Sequence, residues 1–308
     1  MNMMETTFCG VTFKNPVTVA SGTFGSGIEY GDYVDLNRLG AVTTKGVADQ
    51  PWSGNATPRI AETASGMLNA IGLQNPGIDV FLERDLPYLQ QYDTGIIVNV
   101  CGHSVEEYLN VVRRLEGENI DLLEINISCP NVRQGGISFG TDPKEVERIT
   151  RLVKEEAEQP VVMKLSPNVT SIAEIAKAAE AGGADGLSLI NTITGMKIDT
   201  RTRRFALANR TGGLSGPAIH PVAVRMVYEA AQAVKLPIIG MGGVTDADSA
   251  VELMLAGATM VAVGTASFAE PAVAEQVVDG LERYARENGL KHIGELVGAV
   301  RDEADANI

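Results

Sequence analysis

The sequence predicts a (β/α)8 TIM barrel, because strand and helix patterns alternate along it, the strand-like runs number eight, and most of those runs are continuously apolar. The runs fall at residues 17–20, 41–45, 95–100, 122–127, 160–165, 184–190, 237–240 and 259–263. Unbroken apolar character is what a strand covered on both faces requires. Helical periodicity fills most of the gaps. In 105–116, apolar residues at 108, 109, 111, 112 and 115 share one face, and 144–158, 172–181, 221–234, 246–256 and 271–288 behave alike. Ser104 and Thr245 stand at N-cap positions, and Gly182 and Gly257 stand where helices close. Ahead of the first strand, residues 6–13 read as a small β-hairpin, placed across the barrel floor. Two connections are too long for simple turns, one from Gly46 to about Asn75 and one from Asn191 to His220. Both follow strands, so a barrel puts these long loops on its C-terminal face, where active sites sit.

A barrel of this kind accounts for all 308 residues as one domain, 1–308. Apolar residues at 44% and charged residues at 21% are ordinary for a folded chain. No apolar run reaches the ~18 residues of a membrane span. The opening Met-Asn-Met-Met-Glu has neither a basic region nor an apolar stretch, so no secretory signal is expected and a cytoplasmic location follows. A net charge of −14 repels a phosphate backbone, which excludes nucleic acid as the expected partner. Cys9, Cys101 and Cys129 form no C-x-x-C, and His103, His220 and His292 lack metal-ligand spacing. Disulfides, a metal site and an iron–sulfur cluster held by this chain alone are therefore not expected.

Polar residues gather at the strand ends. Ser21-Gly22 follows the first strand, Lys45-Gly46 ends the second, Asn99 the third and Asn126-Ile-Ser-Cys129-Pro-Asn131 the fourth. Lys164 lies in the fifth, Asn191-Thr192 follows the sixth, Gly242-Gly243 the seventh and Gly264-Thr265 the eighth. One barrel mouth would bring them together. The glycine turns after strands seven and eight suit a phosphate, since the backbone can approach closely and following N–H groups point at an anion. Tight βα turns would use the same glycines. Gly240-Met-Gly-Gly243 is not G-x-G-x-x-G, so a mononucleotide is expected rather than a dinucleotide. Lys45 and Lys164 lie in apolar surroundings, where an ammonium needs an anion: a substrate carboxylate, a reduced flavin or a distant carboxylate side chain. Cys129 reads as a base or nucleophile, its thiol being a few per cent thiolate at neutral pH, or as a small buried residue. Asparagines 69, 99, 126, 131 and 191 offer paired donors and acceptors suited to a ligand with alternating imide groups, whereas Asn75, before Pro76, reads as a turn residue.

The run Glu124-Ile-Asn-Ile-Ser-Cys-Pro-Asn131 resembles the signature of the dihydroorotate dehydrogenases, flavoenzymes of pyrimidine (UMP) biosynthesis. So do Thr44-Lys-Gly46, Met67-Leu-Asn-Ala-Ile-Gly-Leu73, Asn191-Thr192, Gly213-Leu-Ser-Gly-Pro217 and Ile239-Gly-Met-Gly-Gly243, in order along nearly the whole chain. The resemblance implies an FMN-binding barrel that oxidises (S)-dihydroorotate to orotate. Cys129 matches the catalytic base of the soluble class. Lys45, Asn69, Asn126, Asn191 and Thr192 match substrate-binding positions, with Asn69, Ala70, Ile71, Gly72 and Leu73 lying along the substrate. Ser21, Lys45, Gly46, Asn99, Asn126, Lys164, Ile190, Gly216, Gly242, Gly243, Gly264 and Thr265 match FMN contacts. By the same resemblance Cys129 takes the proton from carbon 5, hydride leaves carbon 6 for the flavin, and Lys164 balances charge on the reduced ring.

Two soluble subtypes share this pattern. One is a fumarate-reducing homodimer. The other is NAD-linked and works with a second subunit carrying FAD and a [2Fe-2S] cluster, as a heterotetramer of two plus two. The continuation Val132-Arg-Gln-Gly-Gly-Ile-Ser-Phe-Gly-Thr-Asp142 resembles the NAD-linked subtype and lacks the Pro-Gly-Lys-Pro-like stretch of the fumarate type. Without a dinucleotide fingerprint or cluster cysteines, this chain needs another protein to carry electrons to NAD. Related dihydropyrimidine dehydrogenases share the cysteine loop and stand as an alternative. The tRNA-modifying dihydrouridine synthases, also FMN barrels, fit poorly with the net charge of −14.

Overall fold

A computed structural model of the chain describes residues 2–128, 133–134 and 137–301. Its centre is one parallel sheet of eight strands: β1 (Val17–Val19), β2 (Ala41–Thr43), β3 (Gly95–Val100), β4 (Leu122–Asn126), β5 (Val161–Lys164), β6 (Gly186–Leu189), β7 (Ile238–Met241) and β8 (Met260–Val263). Each falls inside, or within one residue of, a run expected from the sequence. Neighbours pair in chain order from β2 to β8, and β8 pairs with β1. The free edges of β1 and β2 meet as well. The Gly40 N–H donates to the Val17 carbonyl at 3.0 Å, and the Thr18 and Thr43 hydroxyls lie 3.0 Å apart. The sheet therefore curls into the expected barrel.

Alternation along the strands builds the interior in layers. Ile97, Leu122, Val162, Ile239 and Met260 form an apolar layer with Phe8 and Phe13. Two residues further along each strand a side chain returns to the same face. That step reaches Asn99 on β3, Glu124 on β4 and Lys164 on β5, all buried. The barrel interior is thus apolar at its lower end and polar towards the C-terminal ends of its strands.

The two phenylalanines come from the N-terminal hairpin, Thr6–Phe8 paired with Val11–Phe13. It lies across the barrel floor, as expected. A Cβ on Gly95, the first residue of β3, would stand 2.4 Å from the Phe13 ring, and one on Gly186, the first residue of β6, 3.0 Å from the Phe8 ring. Glycine at both strand starts makes room for the plug.

Six helices run over Val105–Arg114, Pro143–Glu156, Ile172–Ala181, His220–Ala233, Ala247–Leu255 and Val273–Glu287, close to the periodic segments read from the sequence. Ser104 caps the first as expected, accepting the Glu107 N–H at 3.3 Å. Thr245 does not cap the fifth. Asp246 does, accepting the Ser249 N–H at 2.9 Å while its own N–H donates to the Ser249 hydroxyl at 3.1 Å. A carboxylate meets the exposed N–H groups of a first turn better than a hydroxyl, so the cap settles one residue later. Residues 78–89 form a further helical segment that the sequence reading left unassigned; Pro87 and the charged Glu83-Arg84-Asp85 interrupt its apolar pattern, and Phe81–Asp85 forms a wider turn.

The two long connections fold together. Ile60–Thr63 and Gly66–Asn69 come from the first, Ile193–Met196 and Thr211–Ser215 from the second, and they form one antiparallel sheet. This sheet stands over the C-terminal face. Glycines at 66, 195, 212 and 213 give these strands little intrinsic β-propensity, so they read as loops until the two connections are paired.

Candidate active site

Between the strand ends and the covering sheet lies a cavity of about 630 Å3. That is within the ~300–1,000 Å3 typical of small-molecule and cofactor sites. Ser21, Lys45, Asn126, Lys164, Ile190, Asn191, Thr192, Gly242, Gly243, Gly264 and Thr265 line it from the barrel, and Asn69, Ala70, Ile71, Gly72, Leu73 and Gly216 from the cover. Two residues expected here do not line the cavity. Asn99 is wholly buried one layer behind it, and Gly46 packs against Asn99, where a Cβ would stand 3.0 Å from the amide oxygen. Cys129 and Asn131 lie outside the described residues. The described chain just before them is anchored by Tyr108, whose hydroxyl donates to the Asn126 carbonyl at 2.8 Å.

Lys164 resolves in a way the sequence could not decide. Its ammonium lies 3.2 Å from the carboxylate of Glu124, and both side chains are buried, at 4% and 1% exposure. Glu124 also accepts the Asn99 amide N–H at 2.5 Å. The ladder explains the meeting. β3 and β4 pair Asn99 with Glu124, and β4 and β5 pair Asn126 with Lys164, so the four side chains meet inside the barrel, with Asn126 two residues further along β4 than Glu124. Lys45 is half-buried, and its ammonium lies against the turn after β1, where a Cβ on Gly22 would be 3.3 Å away.

The turn after β7 carries two constraints at once. Gly243 has a φ of +72°, and a Cβ there would stand 2.7 Å from the His220 Cβ and 2.9 Å from the Gly216 carbonyl. Packing against the helix that starts at His220 demands glycine whether or not a phosphate binds. His220 adds direction, since its Nδ1 lies 2.8 Å from the Gly242 carbonyl. In a trans peptide the N–H points opposite to the carbonyl. The Gly243 N–H is therefore turned away from that helix. After β8, the Thr265 hydroxyl donates to the Ser215 hydroxyl at 2.8 Å, which ties the barrel rim to the cover.

The remaining cysteines and asparagines have structural places. Burial, then the neighbouring Asp185 carboxylate, pushes the Cys9 thiol up to about 12, and Cys9 sits in the floor hairpin, remote from the cavity. Cys101 is buried. Asn75 makes the turn expected of it, its Oδ1 accepting from Gly77 N–H at 2.9 Å and Ala48 N–H at 3.2 Å.

A family model described as dihydroorotate dehydrogenase matches residues 3–284. The chain belongs to the dihydroorotate dehydrogenase family, a family of oxidoreductases. It is 64% identical over 295 residues to a protein of Lachnoclostridium phytofermentans named dihydroorotate dehydrogenase B (NAD(+)), catalytic subunit, covering 96% of this chain and 98% of that one. It is 58% identical to proteins of the same name from Alkaliphilus metalliredigens, covering 96% and 98%, and Alkaliphilus oremlandii, covering 94% and 96%. The family's barrel supplies the cavity walls. Glu124, Ser128, Tyr108 and His220, which sit behind those walls, and Thr194, Thr211 and Phe268, which line the cavity from the cover and rim, are not among the site residues expected from the sequence. For Glu124 a signal existed: an acidic residue inside an apolar strand, two positions before Asn126 and so on the same face.

Proposed function

We propose that this chain binds FMN and oxidises (S)-dihydroorotate to orotate in the cytoplasm, as a step of pyrimidine biosynthesis, and that its electrons pass through a partner subunit with FAD and a [2Fe-2S] cluster to NAD. The observation that carries this reading is the cavity itself. Its wall holds Lys45, Asn69, Asn126, Asn191 and Thr192, the set expected for an acidic ring amide, together with Ser21, Lys164 and the glycine turns after β7 and β8. Relatives that share more than half of their residues with the chain carry the NAD-linked name. The words "catalytic subunit" in those names agree with a chain that has no dinucleotide fingerprint and only three cysteines.

The donor set fits FMN. The Ser21 hydroxyl and the backbone turns at Gly243 and Gly264-Thr265 supply neutral donors for a phosphate dianion. The Lys164 ammonium supplies a positive charge deeper in the cavity. The Ser188 hydroxyl and one oxygen of Glu124 are buried without a hydrogen-bond partner among the described residues. FMN, when bound, supplies the acceptor for the hydride of the substrate.

The chain's own residues do the rest. Lys45 pairs with the substrate carboxylate, and the asparagine amides hold the ring carbonyl and N–H groups and so fix which carbon faces the flavin. Cys129 removes the proton at carbon 5. The Lys164 ammonium offsets negative charge that develops on the cofactor side. Covering strands 60–63, 66–69, 193–196 and 211–215 exclude water above the site. Cys129→Ala is expected to keep FMN bound and to slow flavin reduction by dihydroorotate by about 10²–10⁴-fold. A near-normal rate refutes the role of Cys129. Turnover with NAD only when the second subunit is present supports the proposed electron path, and turnover with fumarate by this chain alone refutes it.

A further inference from the structure

The peptide that joins Gly242 to Gly243, in the turn after β7, is held from one side. Its carbonyl meets the His220 ring, with Nδ1 at 2.8 Å. Its N–H, which belongs to Gly243, meets no acceptor among the described residues. Both glycines are half-buried and line the cavity. A backbone donor in such a place calls for a partner.

The direction of that N–H follows from His220. The peptide is trans, so the N–H points opposite to the carbonyl and away from the helix that His220 begins. Gly243 also packs on this residue, since a Cβ there would stand 2.7 Å from the His220 Cβ. The ring has its own constraints. A carbonyl only accepts, so Nδ1 carries its proton. Nε2 lies 3.1 Å from the Glu252 carboxylate, a hydrogen bond that forms when the ring takes a second proton. The side chain is largely covered, at 13% exposure, and it does not line the cavity. Donation into a carbonyl polarises the peptide and makes its N–H the stronger donor.

We infer that His220 is a positioning residue for the cofactor phosphate: by donating to the Gly242 carbonyl it holds the Gly243 N–H towards the cavity, where a phosphate oxygen accepts it. It acts through one peptide, from 22 residues earlier in the chain. This role rests on the proposed FMN chemistry. Its consequence is selective, because His220 then matters for a flavin that carries a phosphate and not for one that lacks it.

The test is titration of the apoprotein with FMN and with riboflavin, read as flavin fluorescence. The two ligands share the ring and the ribityl chain and differ by the phosphate. His220→Leu removes the donor and keeps a side chain of similar size. It is expected to raise the Kd of FMN by at least about tenfold, the loss of one hydrogen bond to a charged group, and to leave the Kd of riboflavin within about threefold of wild type. His220→Asn, whose amide can donate from the Nδ1 position, is expected to bring the Kd of FMN back to within about threefold of wild type. Equal losses for the two flavins in His220→Leu, unchanged FMN affinity, or no recovery in His220→Asn overturn the inference. Should His220→Leu fail to fold, His220→Phe, which keeps a planar ring without the donor, decides on the same ratio of FMN to riboflavin affinity. Wild-type protein that binds FMN no more tightly than riboflavin overturns the proposed phosphate contacts first, and this inference with them.

Discussion

Replacing Phe8 by alanine should separate the stability of this barrel from its chemistry. Phe8 is wholly buried in the floor hairpin, within the apolar layer built by Ile97, Leu122, Val162 and Met260. The opposite position on β6 is Gly186, which has no side chain to refill the space. Truncating such an aromatic costs about 3–5 kcal/mol through lost transfer energy and the cavity left behind. At roughly 2 °C per kcal/mol for a chain of this length, the Tm of the FMN-loaded protein should fall by about 6–10 °C. Thr7→Ala, on the exposed side of the same strand, should stay within about 0.5 kcal/mol of wild type. The rate of flavin reduction by dihydroorotate should be unchanged at 20 °C, since the floor and the mouth lie at opposite ends of the strands. Differential scanning fluorimetry and stopped-flow absorbance read the two quantities. A Tm within about 2 °C of wild type would refute the plug, and a large loss of rate at unchanged flavin content would refute the division between a structural floor and a chemical mouth.

Two further outcomes follow from local geometry. Asp246→Ala removes the capping box of Ala247–Leu255 and should cost about 1 kcal/mol at pH 7 by urea denaturation. The Ser249 N–H holds the Asp246 carboxyl below its ordinary value, so its contribution is full above the unfolded pKa near 3.9 and is lost as pH falls through the folded one. The gap between wild type and variant should accordingly be flat from pH 5 to 8 and close below about pH 4. Cys9, pushed up to about 12, should alkylate in native protein at pH 8 about 10³-fold more slowly than the same cysteine in urea, as site-resolved mass spectrometry would show.

The barrel was legible because its signals are local and repeated. Most buried parallel strands announce themselves by a continuous apolar run, and most helices by an apolar face. The hairpin floor was legible for the same reason, from Thr6–Phe8 and Val11–Phe13 with a Cys-Gly turn between them. What stayed hidden depends on pairing across long separations. The covering sheet exists only when residues 60–69 meet residues 193–215, and its glycine-rich strands carry no signal of their own. The sequence leaves the anion beside Lys164 open because Glu124 is 40 residues away and reaches it through the β4–β5 register. Strand-end polar residues located the mouth well, since every barrel strand delivers its C-terminal end there. They did not separate residues in the wall, such as Asn126, from those one layer behind it, such as Asn99, because both sit near strand ends in equally apolar surroundings.

Anaerobic mixing of the FMN-loaded protein with (S)-dihydroorotate tests the central claim most directly. Rapid bleaching of the flavin absorbance, with one orotate formed per flavin and no bleaching by dihydrouracil, is the expected result. A flavin that stays oxidised with dihydroorotate, or that is bleached by dihydrouracil instead, contradicts the account.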